Sequence, residues 1–484
     1  MRRPHPVGLA LVVFLVALLL LAGYVLDPGL VLRVPSSPWG PEDTHIGHIV
    51  LIDMENHAFD NYFGTYCLTL GADCPSEVRG EPPGICVPNY PGNLTGPCTA
   101  PYPLGVGEMG PPDMPHTYPS TIGSIANGTM SGFYQFEGGR ESLGYYNATE
   151  IPVYWDMAEE YGLGDNFFSS ALSYSLPNHW YLISGQSPPN AWTGPPAKAN
   201  YTATRAYEHV YLNQANATTT VEDLLNDSPQ VSWKYYDWSL PTYQEAINAK
   251  WGEIGGAYDY WNPLAARAIS YTQWYTTHFV SRDLIFQDAE NGTLPDLSYV
   301  IPFPTFSDHP PANVSAGQSF IAQVVDAIEE GPDWSSTAIL ITWDDYGGFY
   351  DGVAPPKPVG APNDQLGLSI RVPIIVISPY TPEGTVVHGL GYFESMLHFI
   401  EWRFGLPCIT TRDCDAPNLF EYFDFNQTAR PPILFPTAWA NASYPMPLQG
   451  GTEMPCPSIC TIDPQNWNTD AIEGTANYTE TEAD

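Results

Sequence analysis

The sequence predicts an α/β protein built on a mostly parallel sheet with helices on both faces. Short apolar or β-rich runs recur along the chain, at His48–Asp53, Val231–Tyr236, Leu297–Pro302, Thr337–Thr342 and Val372–Ser378. Helical spacing lies between them, at Phe320, Val324, Val325 and Ile328, and again at Phe393, Leu397, Ile400 and Phe404. Strands alternating with helices favour a parallel sheet covered on both sides. Size is the third observation: 484 residues, 44% of them apolar, suffice for one large domain with insertions or two ordinary ones.

Taken in order, residues 1–26 carry Arg2 and Arg3 before an apolar run from Val7 to Leu26. That pattern fits a signal peptide or an uncleaved anchor. The run is long for a signal-peptide core and lacks a clean small-x-small site, which favours an anchor with the following domain outside. Residues 27–46 read as a Pro-rich stalk, and 47–425 as the main domain. Within it, 67–115 is crowded with Gly, Pro and Cys, and 186–296 is rich in Tyr, Trp and Asn, as a substrate-facing insertion would be. Residues 426–484 form a C-terminal extension with an acidic tail.

Charge narrows the function. There are 53 acidic residues against 16 basic ones, a formal charge of -37. Nucleic acid is excluded as a partner, because phosphate backbones need clustered Lys and Arg. Charged residues make up only 14%, against about 25% on average, so the imbalance reflects scarce bases more than abundant acids. Such a chain avoids a large positive charge at low pH. An acidic surface also serves solubility, and composition does not choose between the two.

The eight cysteines fall in local groups: Cys67, Cys74, Cys86 and Cys98; Cys408 and Cys414; Cys456 and Cys460. In an exported chain they read as disulfides, the last two groups pairing internally and the first allowing three connectivities. No CxxC pair supports zinc. Asn-x-Ser/Thr occurs eleven times, more than chance supplies, so many of these sites read as glycosylation acceptors.

Three segments place polar groups directly after strand or turn signals. They are Met54-Glu55-Asn56, the Ser173–His179 stretch leading into Trp180-Tyr181-Leu182-Ile183, and Asp344–Asp351. Ligands in open α/β sheets bind beyond the carboxyl ends of strands. The first and third segments together offer hard oxygen ligands for a divalent cation. Taken alone, Ser175 would be a helix cap and Asp344-Asp345 a solvated turn.

The residues HIVLIDMENHAFDNYFG from His48 to Gly64 resemble the opening signature of the phosphoesterase family that holds bacterial phospholipases C and related acid phosphatases. FFSSALSYSLPNHWYLISG from Phe167 to Gly185 resembles its nucleophile block, and TWDDYGGFYDGVAPP from Thr342 to Pro356 its second metal block. Asp308-His309-Pro310, followed by Gly317-Gln318, is similar to the intervening element. HFIEWRFGLP from His398, with Arg412-Asp413, is similar to the end of the catalytic domain. The resemblance implies the alkaline-phosphatase-like three-layer α/β/α fold. It makes Glu55, Asn56, Asp344 and Asp345 ligands of one divalent metal ion (Mg, Mn, Ca or Zn) and Ser175 the nucleophile. His309 becomes a second catalytic candidate, and His116 and Asn178 become contacts to the phosphate or the leaving group.

Two positions depart from the family pattern. Asp345 stands where the family has Glu, and Gly352 where it has His. His179 or His388 is a candidate to replace the missing imidazole. The expected activity is an extracellular, metal-dependent acid phosphatase acting on phosphate monoesters through a phosphoserine. The chain's end soon after the catalytic block, and Ser as nucleophile, favour that branch. A phospholipase C is the alternative, favoured by the membrane segment and the aromatic insertion. An inactive cell-surface binding protein of the same fold is the third reading, motivated by Gly352.

Overall fold

The computed structural model describes residues 44–436, except 75–77, 82–83, 94, 194–209, 212, 238–260, 268–273, 275–276 and 357–366. The N-terminal apolar segment, residues 27–43 of the stalk, Cys456, Cys460 and the acidic tail lie outside the described residues. No helix among the described residues is long and apolar enough to cross a membrane.

Eight strands make one sheet. In chain order they are β1 (His48–Met54), β2 (Gly162–Gly164), β3 (Trp233–Asp237), β4 (Phe279–Ser281), β5 (Leu297–Val300), β6 (Thr337–Trp343), β7 (Ile374–Ile377) and β8 (Thr385–Val387). Across the sheet the order is β8-β2-β7-β6-β1-β5-β3-β4. Neighbours run parallel except at β7, which is antiparallel to both β6 and β2. An apolar run announces a buried strand but not its direction, so only the structure reveals this reversal.

Consecutive side chains of a strand point to opposite faces. Ile49, Val50, Leu51 and Ile52 of β1 are all fully buried, as are Ala338, Ile339, Leu340 and Ile341 of β6. Both faces of the central strands are therefore covered. The helices that matter for the site are α1 (Phe59–Phe63), α2 (Tyr118–Ile125), α3 (Pro152–Glu160), α4 (Ser175–Ser184), α5 (Val314–Glu330) and α6 (Phe393–Phe404). Among these, α3 packs on α5 and α4 on α6.

The stretch 186–296, expected as an insertion towards substrate, supplies β3 and β4 to one edge of the sheet. Residues beyond 425 also touch the helices on the sheet. Arg430 pairs with Glu160 at 3.2 Å, and Phe435, buried, donates its N–H to Asp326 at 2.9 Å. Disulfides join Cys67 to Cys74, Cys86 to Cys98 and Cys408 to Cys414. This selects one of the three connectivities left open for the first group.

One buried cation organises the rim. Arg371 is fully buried and pairs with Asp351 and Asp60, each at 2.9 Å. Its Nη1 donates to the carbonyls of Arg79 and Asp165, both at 2.7 Å, and its guanidinium lies over the Phe59 ring. The start of α1 and the loop after β6 are thereby fastened together. Removing one partner of a buried pair leaves the other charge uncompensated and costs about 3–5 kcal/mol. Arg371→Met is expected to destabilise by about that amount in urea unfolding; a change below about 1 kcal/mol would show the cluster to be dispensable.

Several carboxyls are buried with no ion pair to Lys or Arg among the described residues. Burial pushes Glu137 up to about 8, and burial with Asp413 alongside pushes Glu401 up to about 11. Glu81 rises to about 9 through burial and its neighbours Asp60 and Asp351. Burial shifts His57, His309 and His398 downward, which opposes these groups only below an unfolded value near 6.5. Above that pH the unfolded chain has released its carboxyl protons while the native state keeps some. Stability is therefore lost as pH rises through the folded values of Glu137 and Glu81. The melting temperature is expected to fall between pH 6.5 and 9; a rise over that range would contradict the assignment.

Candidate active site

Register builds the centre of the site. β1 and β6 lie side by side with Asp53 opposite Thr342 and Met54 opposite Trp343. The residues that follow, Glu55-Asn56 and Asp344-Asp345, therefore leave the sheet together at its carboxyl end. The Asn56 N–H donates to Asp344 Oδ1 and the Asp344 N–H to the Met54 carbonyl, both at 2.9 Å. Asn56 adopts a left-handed backbone, φ 61°, which Asn tolerates better than most residues. Gly347, at φ 58°, donates its N–H to Asp345 Oδ1 at 2.7 Å. A Cβ there would lie 2.2 Å from the Asn56 carbonyl oxygen, so the turn requires glycine.

Helix α4 adds the second half. Ser175 and His179 are four residues apart and share one face of it. Ser175, at the first position of the helix, donates its hydroxyl to Glu55 Oε2 at 3.3 Å. His179 lies 2.9 Å from Asp53 Oδ2 through Nδ1, and 3.0 Å from Glu55 Oε1 and 3.8 Å from Asp344 Oδ2 through Nε2. All of these residues are buried.

The other expected residues are divided. His116 Nε2 faces Asp345 Oδ2 at 3.9 Å, its ring fixed by a bond from Nδ1 to the Met114 carbonyl. His309 bonds the Pro310 carbonyl through Nδ1 at 2.6 Å and feels the charges of Asp113 and Asp344. Asn178, expected to contact phosphate, uses its amide inside its own loop. Its Oδ1 accepts from the N–H groups of Ser170 and Ala171, and its Nδ2 donates to the carbonyls of Ala171, Ser173 and Tyr174. It shapes the turn before α4, a use that its place in the motif does not disclose. His388 pairs with Asp165 at 2.8 Å, and the Gly352 N–H donates to Asp60 beside Arg371. Of the two candidates for the missing imidazole, His179 is the one that sits among the carboxylates.

Asp53, Glu55, Asp344 and Asp345 are packed together, with His179 in contact with the first three and His116 facing Asp345. Burial and the Asp344 charge drive Glu55 and Asp345 well above the usual carboxylate range, and burial holds Asp53 at about 6. Burial alone would lower His179, but Asp53 and Glu55 drive it well upward. Asp344 Oδ2, Asp345 Oδ2 and both polar atoms of the Asn56 amide are buried without a hydrogen-bond partner among the described residues. Clustered carboxylates with unmet oxygens are what a divalent cation satisfies. Glu55, His179 and Asp344 each direct a ligand atom to within 4.8 Å of the others. The donor set therefore fits a metal, with His179, which the resemblance does not name as a ligand, among the donors and Asp345 and Asn56 beside it. Asp53 gives no sequence signal beyond ending a strand, and its bond to His179 emerges only from the packing of α4 on the sheet.

With this geometry in hand, the chain matches the Phosphoesterase family over residues 46–407. Phospholipase C B of Mycobacterium tuberculosis is 28% identical over 438 residues, covering 80% of this chain and 79% of that protein. Non-hemolytic phospholipase C of Burkholderia pseudomallei is 28% identical over 398 residues, 74% of this chain and 55% of its own length. Non-specific phospholipase C1 of Arabidopsis thaliana is 28% identical over 260 residues, 49% and 42% of the two chains. A solved alkaline phosphatase superfamily protein from Vibrio parahaemolyticus aligns with TM-score 0.34 at 12% identity, covering 55% of this chain and 64% of that one, too distant a likeness to bear on chemistry. The family match spans the strand ends, α4 and the second carboxylate pair alike, and on it the chain belongs to the phosphoesterase family and is a phosphoric ester hydrolase.

Proposed function

We propose that the protein is a metal-dependent acid phosphatase that uses Ser175 as its nucleophile. The observation that carries this reading is the Ser175 hydroxyl, 3.3 Å from Glu55 at the margin of the carboxylate cluster. A divalent cation held by Glu55, Asp344 and His179, with Asn56 and Asp345 alongside, would polarise a phosphoryl oxygen and lower the pKa of the serine hydroxyl. Glu55 orients that hydroxyl. Attack of Ser175 Oγ on phosphorus forms a phosphoserine and breaks the bond to the leaving oxygen. His309 donates its Nδ1–H to the Pro310 carbonyl, so Nε2 has a proton to give the leaving alkoxide only in the imidazolium form, which an acidic medium supplies against the downward shift that burial imposes. Water then hydrolyses the phosphoserine. Positioning and charge carry most of the acceleration, as in phosphoryl transfer generally.

Scarce Lys and Arg support an acidic, extracellular setting, and the N-terminal apolar segment supports attachment to a membrane. A phospholipase C is the second reading, favoured by the names of the relatives at 28% identity. An inactive binding protein would have no need of a buried Ser175–Glu55 contact.

Hydrolysis of p-nitrophenyl phosphate and of p-nitrophenyl phosphorylcholine from pH 2 to 8 separates the first two. Preference for the monoester, strongest in acid, supports the phosphatase, whereas preference for the choline ester transfers the assignment to the lipase. Ser175→Ala is expected to lower either activity on the order of 10³-fold or more; retention of activity would remove Ser175 from the mechanism. A cation bound only by the folded state raises stability by about 2.7 kcal/mol at 100 times its Kd. A chelator should therefore lower the melting temperature as well as the rate, and an unchanged melting curve would count against the metal centre.

A further inference from the structure

Asp308 is buried and lies on a left-handed backbone, φ 72°. Three donors from three elements converge on its Oδ2: Tyr62 of α1 at 2.9 Å, Tyr154 of α3 at 2.8 Å and the Trp343 indole at the end of β6 at 3.2 Å. His57 Nε2 lies 3.1 Å from its main-chain carbonyl. Its other oxygen, Oδ1, faces α5 at Gly317, where a Cβ would come within 1.9 Å. A buried carboxyl is expensive to desolvate, and a left-handed non-glycine residue costs about 1–2 kcal/mol more. An apolar side chain of the same volume would avoid the desolvation, though not the backbone cost, which every residue but glycine bears.

What this arrangement fixes lies on both sides of it. His309 follows Asp308 directly, and its N–H donates to Ser307 Oγ at 3.2 Å. The Ser307 carbonyl accepts from the Glu55 N–H at 2.8 Å. His57, which grips Asp308, follows Asn56 in the chain. The segment bearing His309 is thus tied at 307 and 308 to the segment bearing Glu55 and Asn56, and a shift of one moves the other.

We infer that Asp308 is a positioning residue, held by Tyr62, Tyr154 and Trp343, which sets the His309 imidazole at a fixed place relative to the Glu55–Ser175 centre. The inference rests on the phosphoesterase reading for the role of His309, but its geometry does not. Asp308→Asn keeps the volume yet weakens acceptance from three donors at one oxygen. The expected result is a fall in kcat of about 10- to 100-fold with KM little changed, typical of losing an outer hydrogen-bond partner.

The experiment is a double-mutant cycle of Asp308→Asn and His309→Ala on p-nitrophenyl phosphate, with folding checked by melting and bound metal by elemental analysis. In the His309→Ala background Asp308→Asn should cost almost nothing further. An equal loss in both backgrounds, or a loss that follows metal content, would overturn the inference. The ¹⁵N signals of the His309 ring give a second readout independent of turnover. They should move in Asp308→Asn and, more weakly, in Tyr154→Phe; unchanged signals would also overturn it. A wild-type protein inactive on both esters would defeat the phosphoesterase reading, and the ring signals would still decide the positioning role.

Discussion

The arrangement depends on one electrostatic problem: four carboxyl groups are buried together at the ends of two adjacent strands, with His179 between them and His116 at their edge. Like charges at such distances in a medium of low dielectric repel strongly, and burial strips each of its water. The chain tolerates this only because other features hold the groups in place. The β1–β6 register delivers two of them from each strand end, the left-handed Asn56 turns its N–H onto Asp344, and α4 brings His179 between Asp53 and Glu55. Carboxyls crowded in this way hold on to protons until a cation displaces them, so the same congestion that raises their pKa values prepares a cation site.

A second cluster of acids shows the contrasting solution. Asp60 and Asp351 surround Arg371, which satisfies both and two main-chain carbonyls besides. That cluster contains its own cation, and it sits only a few residues from Asp344-Asp345 along the same loop. The two together explain how the loop after β6 can be rigid at one end and charge-hungry at the other. Gly352 falls in the half that holds Arg371, its N–H committed to Asp60. Any residue but proline would keep that N–H, so the contact does not explain the glycine at this position.

Much of this was legible in the sequence, for identifiable reasons. Long buried strands such as β1 and β6 declare themselves by uninterrupted apolar runs, and residues that follow them fall at the functional edge by topology alone. Glu55, Asn56, Asp344 and Asp345 were accordingly expected where the structure puts them. The three-residue strands β2, β4 and β8 were not, because so short a segment has no periodicity and is recruited by its neighbours. Side-chain partnerships were hidden for a different reason. Asn178 and His179 are adjacent polar residues in one motif, yet the first turns back into its loop and the second reaches across to β1. Only the packing of α4 decides which does which. Asp308 was similarly masked by its histidine neighbour, since its three donors come from segments scattered between residues 62 and 343.

The pairing of β1 with β6 also bears on how this chain can vary over evolutionary time. Seven consecutive residues of each strand are matched one to one, from His48 with Thr337 to Met54 with Trp343. A single residue gained or lost inside either strand would turn its terminal acids to the opposite face, since strand side chains alternate. Length changes should therefore accumulate in the long excursions of the chain and be purged from these two short stretches. Descendants of this sequence are free to redesign almost everything around the site except the count of residues that leads into it.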